Sequence, residues 1–138
     1  MERGIMSDKT RNVVNELLSR LGAGDIAGFA GMFADDAHWE IPGDPGTAPW
    51  VGRRKVDEIP GFFETIGAHT DREVFEIDRI LVDGPNAVLI GRARVICRST
   101  GRTIDTPFAI DIVVDEEGRI SRYYMFEDSL AVYQAMNG

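Results

Sequence analysis

The sequence has 138 residues and one cysteine, Cys97, so no internal disulfide can close. Histidine is scarce as well. His38 and His69 cannot by themselves complete a zinc site built from nitrogen and sulfur donors, and no metal is expected. No apolar run approaches the ~20 residues that cross a bilayer, and the start lacks a signal-peptide pattern, which makes the cytoplasm the expected compartment. Lys and Arg number 15 against 23 Asp and Glu, giving a net charge of −8 that repels polyanions. No basic cluster is interleaved with aromatics, so neither nucleic acid nor membrane is an expected partner.

What is present, 43% hydrophobic and 28% charged residues, is the composition of an ordinary globular chain. It is long enough to bury roughly two thirds of the surface its unfolded form exposes, and a single core is expected. Residues 1–7 are polar and read as a disordered extension, leaving 8–138 as one domain without repeats or linkers. Ser7 or Asp8 can cap a first helix, in which Val13, Val14, Leu17, Leu18 and Leu21 recur at helical spacing. After "GAGD", Asp25 can cap a second helix carrying Ile26, Phe29, Met32 and Phe33. Ala37 to Ile41 alternates like a strand, with Trp39 and Ile41 on one side and His38 and Glu40 on the other. "PGDPGTAP" is loop. Val56, Ile59, Phe62, Phe63 and Ile66 predict a third helix that Pro60 must kink or restart, and His69 falls in the loop beyond it, its imidazole in water.

From there the period changes. Four strands follow, about Glu73 to Val82, Ala87 to Arg98, Thr103 to Val114 and Ile120 to Glu127, separated by "DGPN", "STGR" and "DEEG". A last helix runs from about Ser129 to Met136. The order predicts an α+β domain with helices covering one side of a curved antiparallel meander. Alternation puts Ala93, Val95 and Cys97 on the apolar face and Arg92, Arg94 and Arg98 on the other, with Asp111 as a counter-charge. A bulge that reversed this parity would instead bring Arg94 and Asp111 into the interior. On the last strand Tyr123, Met125 and Glu127 share the inner face. Cys97 has apolar neighbours and reads as a packing residue.

That order, with "LGAGDIAGFAGMFADDAHWEIPG", "WVGRRKVDEIPGFF" and "DEEGRISRYYMFEDS", resembles the nuclear transport factor two superfamily, in its SnoaL-like, ketosteroid-isomerase-like branch. Limonene epoxide hydrolases and polyketide cyclases are relatives there. The resemblance implies a cone of helices on a strongly curved, mainly antiparallel sheet, enclosing a pocket, commonly in a homodimer. Its reactions do not follow from its fold. The isomerase base aligns with Ile41, its tyrosine with Leu17 and its second aspartic acid with Ile110. None of these aliphatic groups can accept a proton or donate to an enolate. The late acid of the epoxide hydrolases aligns with Met125, and "RARVIC" offers no carboxylate for their Arg-x-Asp pair.

Glu127 and Tyr123 remain as candidate catalytic groups. Glu127 can act as acid or base where burial among aromatics raises its pKa, or it can be solvated, with Asp128 or Ser129 capping the last helix. Tyr123 can donate a hydrogen bond or simply fill space. A His38–Glu40 pair is chemically conceivable but points away from the inferred pocket. Trp39, Ile41, Trp50, Phe63, Val95, Phe108, Ile110 and Met125 describe the enclosure for a hydrophobic small-molecule ligand. The reading is a cofactor-independent acid-base enzyme of isomerase, cyclase or epoxide hydrolase type. Its alternative is a noncatalytic dimeric ligand-binding or interaction module.

Overall fold

A computed structural model describes residues 2–137, and Met1 and Gly138 lie outside the described residues. Helix α1 spans Glu2–Gly22 and buries Val14 and Leu17. It begins well before Ser7 and Asp8, so residues 2–7 are helical rather than a disordered extension, and neither side chain is an N-cap. Tertiary contacts hold this end. The Ser7 hydroxyl accepts from the Gly84 amide at 2.8 Å, and Thr10 Oγ1 donates to the Gly84 carbonyl at 2.7 Å. Lys9 Nζ donates to the Glu116 carbonyl. Gly84 sits at φ +60°, a conformation that favours glycine, in the turn these hydroxyls grip.

Gly24, at φ +73°, turns the chain into α2, Ile26–Ala30, and Asp25 caps it by accepting from the Gly28 amide at 2.9 Å. The helix is shorter than its apolar spacing predicts. Met32 lies in the following turn, and Phe33 opens strand β1, Phe33–Ile41, so the strand begins before Ala37, where alternation predicts its start. Phe29 and Phe33 still meet, with ring centroids 5.5 Å apart, because both elements pack on one core. Strand β2, Gly52–Arg54, and a 3-10 turn, Val56–Glu58, precede helix α3, Ile59–His69. Pro60 occupies the first turn of α3, where its missing amide costs nothing, and it restarts the helix as expected. The helix runs on to His69, whose Nδ1 lies 2.8 Å from the Thr65 carbonyl, so this histidine is a helix terminus and not a solvated loop residue.

The meander is β3, Thr70–Asp83, β4, Asn86–Cys97, β5, Thr103–Val114, and β6, Ile120–Glu127, followed by α4, Ser129–Asn137. The six strands form one sheet in the order β2-β1-β6-β5-β4-β3, with β1 and β6 parallel and the other pairs antiparallel. Helices cover the inner face, where Phe29, Trp39, Leu89, Ile110 and Ile112 pack out of water. The architecture is α+β, as expected.

Two bulges shape β3. Between Arg72 and Val74, and again between Ile77 and Arg79, one residue of β3 is left without a partner on β4. Each shifts the alternation by one position, so Arg72 and Phe75, three residues apart, face the same side. Opposite the second bulge, Gly91 passes so close to β3 that a Cβ there would stand 2.1 Å from the Glu76 carbonyl oxygen.

Candidate functional site

A cavity of about 150 Å³ lies between the inner sheet face and the helices. Leu21 of α1 and Phe62, Phe63 and Ile66 of α3 form one wall, and Trp50 enters from the loop ahead of β2. The sheet supplies Phe75 from β3, Ala93 and Val95 from β4, Ile104 from β5, and Tyr123, Met125 and Glu127 from β6. Thr70, Thr106 and Arg72 complete it. The lining is mostly hydrocarbon, so each polar group in it matters. Both threonine hydroxyls are engaged by the backbone. Thr70 Oγ1 donates to the Ile66 carbonyl at 2.8 Å, and Thr106 Oγ1 donates to the Pro107 carbonyl at 2.7 Å while accepting from the Asp128 amide at 2.8 Å.

Glu127 is half-buried at the end of β6. Burial pushes its carboxyl above the usual carboxylate range, and a hydrogen bond from Trp50 Nε1 to Oε2, 3.1 Å long, pulls the other way with smaller effect. The result is a carboxyl group held in a fixed orientation and reluctant to ionise. Tyr123 is buried, its ring stacked on Trp39 at 5.3 Å with the planes 3° apart. Burial raises its phenol pKa, so the hydroxyl keeps its proton and can only donate or accept a hydrogen bond. Along β6 the two residues are four apart, about 13 Å at Cα, with Met125 between them. Both line the cavity from the same strand.

Asp128 is the cap. Its Oδ1 accepts from the Ala131 amide at 3.1 Å, at the start of α4. His38 Nε2 lies 2.7 Å from Glu40 Oε1, a pair on the outer sheet face beside Tyr124 and away from the cavity. Arg94 is also outside, bonded to Glu73 at 3.1 Å, and Asp111 pairs with Arg122 at 2.8 Å. The Arg94–Asp111 pair inside the cavity does not form. Cys97 is buried, 3.3 Å from the Met136 sulfur, and burial raises its thiol pKa. Among the described residues no three His, Cys, Asp or Glu side chains stand close enough to hold a metal ion.

Of the residues proposed from the sequence, Glu127, Tyr123, Trp50, Phe63, Val95 and Met125 line the cavity. Trp39, Ile41, Phe108 and Ile110 do not; they are buried in the core behind it. Trp39 packs against the far side of Tyr123 and against Phe62, and Phe108 lies under Phe75 at 5.1 Å. Inward parity places a side chain on the concave face without saying whether a neighbour covers it. Arg72 and Phe75 were missed because the bulge at Glu73 leaves no trace in the alternation.

Residues 14–123 match the family model of the SnoaL-like domain. Patulin synthesis protein F of Aspergillus clavatus is 32% identical over 84 residues, 59% of this chain and 42% of that protein. The chain therefore spans less than half the length of that curated relative. Among solved structures, an NTF2-like protein of Burkholderia thailandensis superposes with a TM-score of 0.84 at 25% identity, covering 94% of this chain and 98% of the other. An LEH-like epoxide hydrolase of M. tuberculosis superposes with a TM-score of 0.68 at 18% identity, covering 94% and 90%.

Proposed function

We propose that this chain, which belongs to the SnoaL-like family, is a cofactor-independent enzyme that moves a proton on a small cyclic compound, with Glu127 as the acid-base group and Tyr123 as hydrogen-bond donor. The observation that carries this is the Glu127 carboxyl, built into an apolar cavity wall, raised in pKa by burial and oriented by Trp50. The ionised carboxylate takes a proton from carbon, and the electron pair runs through a conjugated system to a carbonyl oxygen on the ring, forming an enolate that Tyr123 hydrogen-bonds. Return of the proton from the Glu127 carboxylic acid to another carbon completes an isomerisation. A base and a donor about 13 Å apart at Cα along one strand suit a proton donor and an oxygen at separate positions of the ring rather than on adjacent atoms. The volume fits the same class: a cavity near 150 Å³ holds one benzene-sized ring and not a fused polycycle.

A second reading is a binding module without turnover. It is favoured by Leu17, Ile41 and Ile110, which are aliphatic, each 1% exposed, and packed as core. Deuterium exchange separates the two. In D2O, NMR should show the wild-type protein incorporating deuterium into at least one of a panel of monocyclic enones and β-dicarbonyls. Glu127→Gln should slow this by about a hundredfold or more, and Tyr123→Phe should slow it with the fold intact. No exchange by the wild type across the panel leaves the binding module. The homodimer implied by the resemblance is supported by Phe126, 47% exposed, and Leu81, 51% exposed, on the outer sheet face, and sedimentation velocity measures it.

A further inference from the structure

We propose that Arg72 is an anchor for an anionic oxygen group at the cavity mouth, so that the ligand is a single ring bearing a carboxylate or similar oxyanion. The inference rests on the cavity being a ligand site, as proposed above, and narrows its substrate class.

Three observations carry it. First, Arg72 lines the cavity although it is exposed, as a residue at the rim of the cavity does. Its guanidinium lies 5.8 Å from the centre of the Phe75 ring, another lining residue. Second, the fold removes its natural partners. Asp71 and Glu73, on either side of it, point to the other face and are taken there, Asp71 by Arg98 at 2.8 Å and Glu73 by Arg94 at 3.1 Å. Among the described residues no carboxylate pairs with Arg72. Third, the bulge at Glu73 produces this arrangement. With regular alternation Arg72 and Phe75 would face opposite sides, and the extra residue turns both inward while sending Glu73 out to Arg94.

The chemistry of the surroundings agrees. In a protein of net charge −8, an anion reaches an apolar cavity only where a local cation offsets the field. A guanidinium presents a planar fork of donors that matches a carboxylate. Arg72 stands on edge strand β3, three strands across the curved sheet from Glu127 on β6. A ring held by its anionic group at Arg72 therefore turns its other side toward Glu127 and Tyr123.

Benzoate and benzamide test this, since they share a ring that fits the cavity and differ in charge. Calorimetric titration at neutral pH should show the wild-type protein preferring benzoate by about tenfold, the lower end of what a hydrogen bond to a charged group contributes. Arg72→Gln should lose that preference with benzamide affinity unchanged, and Arg72→Lys should keep part of it. Arg94→Gln, on the outer face, should leave both affinities within about twofold, because exposed charges are screened over this distance. An unchanged melting temperature in Arg72→Gln shows that the variant folds. Equal binding of the two compounds by the wild type, or a preference that survives Arg72→Gln, overturns the proposal while leaving the cavity as a site for neutral rings. Binding of neither overturns the ligand site as well. If the preference follows Arg72 but no proton transfer is found, the anion anchor stands and the catalytic reading fails.

Discussion

Trp50 Nε1 stands 3.1 Å from Glu127 Oε2, joining the loop ahead of β2 to the end of β6 across 77 residues of sequence. This contact and the burial around it act on the carboxyl group in opposite directions. Burial is the stronger, so Glu127 stays protonated to higher pH than an ordinary glutamate, while the indole N–H keeps an ionised form accessible.

Stability should record that balance. Because the folded pKa of Glu127 lies above its unfolded value, the folded protein holds the proton more tightly, and stability falls as pH rises from about 4.5 through the folded pKa. Glu127→Gln carries no such proton. Its melting temperature should exceed that of the wild type increasingly over this window and by a constant margin above it. A difference that does not change with pH would show that the carboxyl is not held neutral by the fold.

Trp50→Phe removes the hydrogen bond that favours the ionised carboxylate. The pH midpoint of Glu127-dependent deuterium exchange should move upward, because only burial then acts on the group. An unmoved midpoint would mean that the indole merely packs.

Asp128 and Glu127 are adjacent but do different work. Asp128→Ala should destabilise the protein by about 1 kcal/mol, the usual loss for an N-cap, as read from denaturant midpoints. Its proton-transfer rate at saturating ligand should stay within about twofold, since the capping carboxylate belongs to α4 and not to the cavity wall.

The meander was legible because its signals agree. In Thr103–Val114 and Ile120–Glu127, alternation and turn residues mark the same boundaries, and the expected and observed strands coincide. The face shared by Tyr123, Met125 and Glu127 followed from period alone. Phe33 shows where period is ambiguous: four residues from Phe29, it suits a helix, yet it begins β1, because tertiary pairing with Ile120 decides a short apolar run. The first turns of α1 carry no apolar stripe, and their order comes from Ser7 and Thr10 bonding a turn some 75 residues away.

The site was legible in part for a similar reason. Parity separates inner from outer residues, which kept Arg94 and His38 out of the cavity. It does not give depth, so Trp39 and Ile110 were read as lining although both are buried in the core, Trp39 under Phe62 of α3. Arg72 depends on a two-against-one pairing that exists only once β3 and β4 meet. Gly91, which permits their close approach opposite Glu76, looked like any other strand glycine.

The placement of the two tryptophans gives the molecule its own optical readout. Trp50 touches the cavity directly, whereas Trp39 sits one layer behind it, face to face with Tyr123, its buried indole nitrogen without a hydrogen-bond partner among the described residues. Emission from Trp50 should respond to whatever enters, and emission from Trp39 only to an occupant that displaces the tyrosine. With Trp50→Phe as background, the remaining fluorophore distinguishes a molecule lodged at the mouth from one that has reached the floor.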